Sequence, residues 1–329
     1  MRPSLIDGHH RKHTYLRIAV TERCNLRCTY CMPADGLSLQ PREHMLTTEE
    51  IVRVARVAVD AGVTKIRLTG GEPLVRSDLP EIVRRLRALP GLRQLGMTTN
   101  GTLLARSADV LCDAGLDAVN ISLDTLRPER FARITRRDDH SAVMAGVAAA
   151  LRAGFAKVKI NMVVMRGVND DELCDVAELT RERALDIRFI EYMPFDANAW
   201  SSGGLMTASE MRECLSREYT LHPAVGDTHA GVARMYRIPG FAGRVGFISA
   251  MSEHFCDTCN RLRLTADGSL KPCLFSTSEC NIRSLLRSGA DDASIAGVMN
   301  DALAGKWKAH PGVRQLVDLH NRSMIRIGG

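Results

Sequence analysis

Tyr15-Leu16-Arg17-Ile18-Ala19-Val20-Thr21 alternates along its length. Leu16, Ile18 and Val20 share one face of an extended strand, and Arg17, Ala19 and Thr21 share the other. Three later runs repeat the pattern. Ile66 and Leu68 oppose Lys65, Arg67 and Thr69. Val119, Ile121 and Leu123 oppose Asn120 and Ser122. Val158, Ile160 and Met162 oppose Lys157, Lys159 and Asn161. In all, strands are predicted at Tyr15–Thr21, Lys65–Thr69, Gln94–Thr98, Ala118–Leu123, Lys157–Val164 and Asp186–Tyr192. Helical patterns at Thr48–Ala61, Leu79–Leu89, Ala105–Ala114, Ser141–Ala153 and Asp171–Ala184 separate them, and several end on a glycine suited to a C-cap.

Strands that alternate with helices imply a parallel α/β sheet. An open doubly wound sheet would be apolar on both strand faces. A complete eight-stranded barrel would fill its interior with branched apolar side chains. These strands are apolar on one face only, and the other carries Arg, Lys, Asn, Ser and Thr. The pattern therefore predicts an incomplete (βα)6 TIM-type barrel with helices outside and a wet, cationic lumen that serves as a ligand site. The alternation stops after Met193. A soft boundary near Ala233 divides the chain into a partial barrel over 8–233 and a smaller C-terminal unit over 234–329 that closes the barrel mouth.

The 329 residues are 45% hydrophobic and 25% charged, which excludes a disordered or collagen-like chain. No apolar run approaches a membrane span, and Met1–His13 lacks the apolar centre of a signal peptide. A cytoplasmic location is expected, with the ten cysteines held as thiols rather than disulfides. The net charge of +6 suits an anionic substrate, nucleic acid or an ordinary solvated surface.

Cys24, Cys28 and Cys31 follow the first strand with the spacing C-x3-C-x2-C. Three thiolates this close can wrap a soft metal centre, and an iron–sulfur cluster with three protein ligands keeps one iron open. Cys256, Cys259 and Cys273 form a second set, spaced C-x2-C-x13-C. With Cys280 they make either a four-cysteine zinc ribbon or a second iron–sulfur site, and spacing alone does not choose. Cys112, Cys174 and Cys214 fall in helical patterns and read as core residues.

The stretch from Val20 to Pro33 resembles the signature of radical S-adenosylmethionine enzymes. Further segments narrow the resemblance: Arg67-Leu-Thr-Gly-Gly71-Glu-Pro73, Thr98-Thr-Asn-Gly101, Asn120-Ile-Ser-Leu-Asp124, Lys159-Ile-Asn161, Phe189-Ile-Glu-Tyr-Met193, Cys256 to Gly268, and the closing Gly328-Gly329. From about Leu16 onward the chain is similar to the molybdenum cofactor biosynthesis protein A family, the GTP 3′,8-cyclases.

The resemblance implies two [4Fe–4S] clusters, one on Cys24, Cys28 and Cys31 with S-adenosylmethionine, the other on Cys256, Cys259 and Cys273 facing substrate. It implies Tyr30, Gly71, Ser122 and Met193 at the S-adenosylmethionine site. It implies Arg17, Arg67, Thr98, Lys159, Arg261, Leu262 and Arg263 on GTP, with Arg17, Arg261, Arg263, Gly328 and Gly329 serving catalysis. It also implies a next-pathway enzyme, cyclic pyranopterin monophosphate synthase, as product acceptor and a reducing donor such as a flavodoxin or ferredoxin, while the sequence leaves a homodimer open. Neither nucleic acid nor membrane is an expected partner. Two other readings stay open: a peptide-modifying radical enzyme with an auxiliary cluster, and a zinc-ribbon nucleic-acid binder. Cys280 lies outside the three-cysteine pattern and is expected not to be a ligand.

Overall fold

Leu16 and Ile18 are fully buried on one side of the first strand, and Arg17 emerges on the other. The computed structural model describes residues 4–196, 198, 200–224, 232–253, 255–319 and 321–328. In it Tyr15–Ala19 forms β1, Lys65–Thr69 β2, Gln94–Thr99 β3, Ala118–Ser122 β4, Lys157–Val164 β5 and Asp186–Glu191 β6. These six pair in chain order and all in parallel. Their apolar faces meet the surrounding helices in one continuous core. Helix Thr48–Asp60 shows how this happens. Thr47 and Glu50 close a capping box at its start, and Ile51, Val54, Ala55 and Ala58 form its buried stripe. Burying each large aliphatic side chain of this kind stabilises the fold by about 1.5–3 kcal/mol.

Two helices are shorter than their sequence patterns. A 3₁₀ turn at Leu104–Arg106 precedes helix Ala108–Asp113, and another at Asp170–Glu172 precedes Leu173–Glu178. Helix Pro128–Thr135 was not expected from the pattern. Its proline sits in the first turn, where the missing N–H costs no hydrogen bond.

The chain beyond Met193 does more than close the mouth. It adds β7 (His222–Pro223), β8 (Arg234–Arg237), β9 (Arg244–Ile248), β10 (Arg261–Leu264), β11 (Ser269–Lys271) and β12 (Cys280–Asn281). β9 pairs in parallel with β6, and β10 in parallel with β1. Eight parallel strands thus run β10-β1-β2-β3-β4-β5-β6-β9, inside a sheet of twelve whose ends are antiparallel hairpins. The edges of a six-stranded sheet carry unsatisfied backbone groups, and β9 and β10 supply their partners. β9 and β10 are not neighbours in the strand order, so the barrel stays open between them.

Candidate active site

Strand register stacks the lumen side chains in rows. Arg17 lies opposite Arg67 on β2 and Arg263 on β10. Thr98 is opposite Asn120, Asn120 opposite Lys159, and Asn161 opposite Arg188. All of these line one cavity of about 330 Å³, a size suited to a small ligand. Arg67 is held firmly: its Nε donates to the Tyr15 hydroxyl at 2.8 Å and its Nη1 to the Met97 carbonyl at 2.9 Å. Gly96 sits opposite Arg67, and a Cβ there would come within 3.1 Å of the Arg67 Nη2, so the missing side chain leaves room for the guanidinium.

The cations crowd one another. Burial, then Arg188 and Arg67, push Lys159 down to about 6. Burial lowers Arg17 to about 10, with Arg67 and Arg261 acting the same way. Burial would raise the Tyr15 phenol, yet Arg67, Arg17, Lys65 and Arg261 draw it down to about 6. An anion placed among these groups relieves the repulsion. The buried Thr98 Oγ1, Asn120 Oδ1 and Asn161 Oδ1 have no hydrogen-bond partner among the described residues, as expected of groups whose partner is a ligand.

Cys24, Cys28 and Cys31 reach this cavity from the loop after β1. Gly70 and Gly71 let the β2 end lie directly on that loop: a Cβ on Gly71 would collide with the Arg23 carbonyl oxygen, and Gly71 N donates to Thr21 O at 2.7 Å. Arg27 donates to the Cys24 carbonyl at 2.7 Å and Arg136 to the Arg27 carbonyl at 2.8 Å. The fully buried Glu72 accepts from Leu74 N, Thr99 Oγ1 and Asn100 N. Asn100 in turn points its Nδ2 at Cys24 Sγ, 3.8 Å away. Tyr30 donates to Asp124 at 2.5 Å. Burial pushes the Cys24 thiol up to about 11 and raises Cys28 and Cys31. Thiols placed this way ionise when a metal centre takes up the charge.

Cys256, Cys259 and Cys273 line the same cavity. Glu191, at the end of β6, anchors the approach to them by accepting from Met251 N at 2.6 Å and Ser252 N at 2.9 Å as well as from Ala208 N. Arg11 donates to the Cys256 carbonyl at 2.6 Å. Burial works to raise the Cys259 thiol, but Lys306 and Arg261 hold it below its usual value. Cys280 stands on β12 opposite Leu270 and packs against the outer core, away from the cavity, as do Cys112, Cys174 and Cys214. A zinc ribbon that needs Cys280 as its fourth ligand does not fit this placement.

Tyr30, Gly71, Ser122 and Met193 all line the cavity, as do Arg17, Arg67, Thr98, Lys159, Arg261 and Arg263. The side chain of Leu262 does not join them. Strand alternation turns it outward, where it is fully buried in the core beside Leu16. Gly328 is buried beside Thr69 and Ala19, and Gly329 lies outside the described residues. Lys65, Arg188, Asp124 and Glu72 were missing from the sequence-derived site. Lys65 has the parity of Arg67, so that signal was available.

The residues fit the cofactors that the sequence implied. Each three-cysteine set presents part-buried thiols to a cavity that also holds cations and unpartnered polar atoms. Among the described residues no three His, Cys, Asp or Glu groups close around a single ion. A four-iron cluster takes its cysteines on separate irons and so spreads them wider.

Residues 18–180 match the Radical SAM superfamily, and residues 185–311 match Molybdenum Cofactor Synthesis C. Over 326 residues the chain is 48% identical to the GTP 3′,8-cyclase of Moorella thermoacetica, covering 98% of this chain and 99% of that one. The chain belongs to the GTP 3′,8-cyclase family of radical SAM proteins. It is also 49% identical to the mitochondrial GTP 3′,8-cyclase of Arabidopsis thaliana, across 99% of this chain and 83% of that protein. Identity to molybdenum cofactor biosynthesis protein 1 of Bos taurus is 50% over 98% of this chain, which spans 51% of that longer relative. The chain thus covers about half the length of several curated relatives it matches. Streptococcus suis SuiB shares the fold, with a TM-score of 0.60 at 16% identity over 88% of this chain and 69% of SuiB. For a member of this family the cofactors are S-adenosylmethionine and [4Fe–4S] clusters.

Proposed function

We propose that this chain is a GTP 3′,8-cyclase, forming (8S)-3′,8-cyclo-7,8-dihydroguanosine 5′-triphosphate from GTP in molybdenum cofactor biosynthesis. The observation that carries this reading is the meeting of two sets of three cysteines and a row of cations in one cavity. Cys24, Cys28 and Cys31 would hold the first cluster, and Cys256, Cys259 and Cys273 the second. When bound, the first cluster and S-adenosylmethionine would supply the hydrogen-abstracting radical chemistry needed to join ribose C3′ to guanine C8.

The protein's share is binding and aim. Arg17, Arg67, Lys159, Arg261 and Arg263 neutralise the triphosphate, with Lys65 and Arg188 beside them. Thr98 presents a buried hydroxyl to the same ligand. Tyr30, Gly71, Ser122 and Met193 shape the S-adenosylmethionine side. Gly328, with Gly329 beyond it, brings the tail to the reacting groups. We keep 8–233 and 234–329 as functional units, since the first carries the first cluster loop and the second carries the other. Their strands share one sheet.

The reaction consumes two electrons and a proton, one electron to cleave S-adenosylmethionine and the second, with the proton, to quench the product radical; a flavodoxin or ferredoxin is suited to supply the electrons. The product passes to cyclic pyranopterin monophosphate synthase. Thiolate ligands suit the reducing cytoplasm, and no helix among the described residues is long and apolar enough to cross a membrane. A homodimer is the proposed assembly. The test is anaerobic turnover with GTP, S-adenosylmethionine and a reductant. Release of 5′-deoxyadenosine together with the cyclised nucleotide is the expected result. Release of 5′-deoxyadenosine with GTP left intact would overturn the substrate assignment.

A further inference from the structure

Lys306 is only 4% exposed, yet among the described residues neither of its two hydrogen-bond acceptors is a carboxylate. It follows helix Asp292–Ala304, just past the Gly305 cap, and its ammonium reaches across to the second cysteine loop. There it donates to the Arg261 carbonyl at 2.7 Å and to Cys259 Sγ at 3.4 Å. The turn it sits on is fixed from outside. His9 bonds the Lys306 carbonyl, and Arg11 donates to the carbonyls of Trp307 and Lys308 while also holding that of Cys256. The carboxylate nearest this turn, Asp7, is already taken up by Arg11 at 2.6 Å and by His13 at 3.0 Å, and it makes no hydrogen bond to Lys306 among the described residues.

A buried ammonium without an anionic partner is strongly unfavourable. The turn is too well tethered for Lys306 to be a stray side chain, so the missing anion is the thing to identify. Cys259 as a metal-bound thiolate provides it. We propose that Lys306 is a positioning residue for the second cluster. It orients the Cys259 sulfur, supplies the counter-charge for the anionic cluster, and so raises that cluster's reduction potential. The inference rests on the two-cluster reading given above. Its physical basis is simple: reduction adds negative charge, and a hydrogen bond from a cation to a ligand sulfur stabilises the reduced form more than the oxidised one. Lys306 thereby biases how a donated electron is shared between the two clusters.

The experiment uses the full chain with Cys24→Ser, Cys28→Ser and Cys31→Ser, reconstituted anaerobically so that the second cluster alone remains. A potentiometric titration followed by electron paramagnetic resonance reads its potential. Adding Lys306→Met is expected to lower the ratio of reduced to oxidised cluster at a fixed potential about tenfold, or about 59 mV for a one-electron couple. Lys306→Arg is expected to stay near the parent, and Lys306→Gln, which keeps a donor without the charge, to fall between. An unchanged potential in Lys306→Met, or full recovery in Lys306→Gln, overturns the charge role. If Lys306→Met does not assemble a cluster, the difference between the Gln and Arg variants decides the matter. Absence of any cluster in the parent would instead overturn the two-cluster reading, and this inference with it.

Discussion

Arg263 donates from its Nη1 to the carbonyl oxygen of Gly328 at 2.9 Å, tying the last described turn of the chain to β10. The bond holds Gly328 against the barrel strands, and Met324 and Ile325 just before it line the cavity that the cysteines reach. The surrounding contacts admit only glycine. Gly328 has φ +71°, and a Cβ there would come within 2.7 Å of Thr69 Oγ1 and 2.9 Å of Ala19 Cβ.

Gly328→Ala is therefore expected to expel the tail while leaving the barrel intact. A small displacement of a positioned group costs about a hundredfold in rate. Cyclised nucleotide should form about a hundredfold more slowly, while 5′-deoxyadenosine release and the melting temperature hardly change. Normal cyclisation by Gly328→Ala would remove the tail from the reaction.

Lys159 is 8% exposed and lies among other cations, which with its burial places its pKa at about 6. The ordinary value is 10.5, so between about 6 and 10.5 the unfolded chain holds a proton that the folded chain lacks. Stability from this group thus rises with pH across that window, and its cost is greatest below it. A triphosphate reverses the balance and recharges the lysine. Calorimetry of GTP binding near neutral pH, in buffers of different ionisation enthalpy, should show proton uptake that disappears in Lys159→Met. The same variant should bind GTP more weakly and melt slightly higher without ligand, by about 1 kcal/mol. Identical proton uptake in wild type and variant would contradict the assignment.

Glu191 accepts four hydrogen bonds without exposure to solvent, from Ala208, Met251 and both the amide and hydroxyl of Ser252. Glu191→Ala would leave several buried donors unsatisfied, each costing about 1–3 kcal/mol. The damage should concentrate at the loop leading to Cys256. Iron content is expected to fall from about eight to about four per chain, with the first cluster's spectrum retained. Equal loss of both clusters would show a general folding defect instead.

Strand parity makes Arg17, Arg67 and Lys159 legible in the sequence, because burying one face of each strand fixes where the other points. The same rule places Leu262 on the outside, although the motif around it had drawn it into the site. Arg188 obeys the rule on β6 but carries no motif to single it out. β9 and β10 were hidden for a different reason. Each is short, each borders a glycine- or cysteine-rich loop, and each pairs with a strand far away in sequence, as Tyr15 does with Arg261. Lys306 was hidden too, since a single lysine after a helix looks like any solvated charge until its surroundings are known.

Cys273 follows β11 and Cys280, seven residues on, begins β12, and the structure treats them differently. Cys273 lines the cavity with Cys256 and Cys259, whereas Cys280 pairs on β12 with Leu270 against the outer core. A ligand must present its sulfur to the cluster, and Cys280 does not line the cavity where Cys256, Cys259 and Cys273 meet. Anaerobic reconstitution followed by iron and sulfide analysis should therefore find both clusters in Cys280→Ser. Cys273→Ser should lose the second cluster and cyclise no GTP, while its first cluster still supports 5′-deoxyadenosine release with a strong reductant. Loss of the second cluster in Cys280→Ser together with its retention in Cys273→Ser would reverse the ligand assignment. A fourth cysteine on that cluster would leave no open iron for substrate, so the result also bears on how GTP is held.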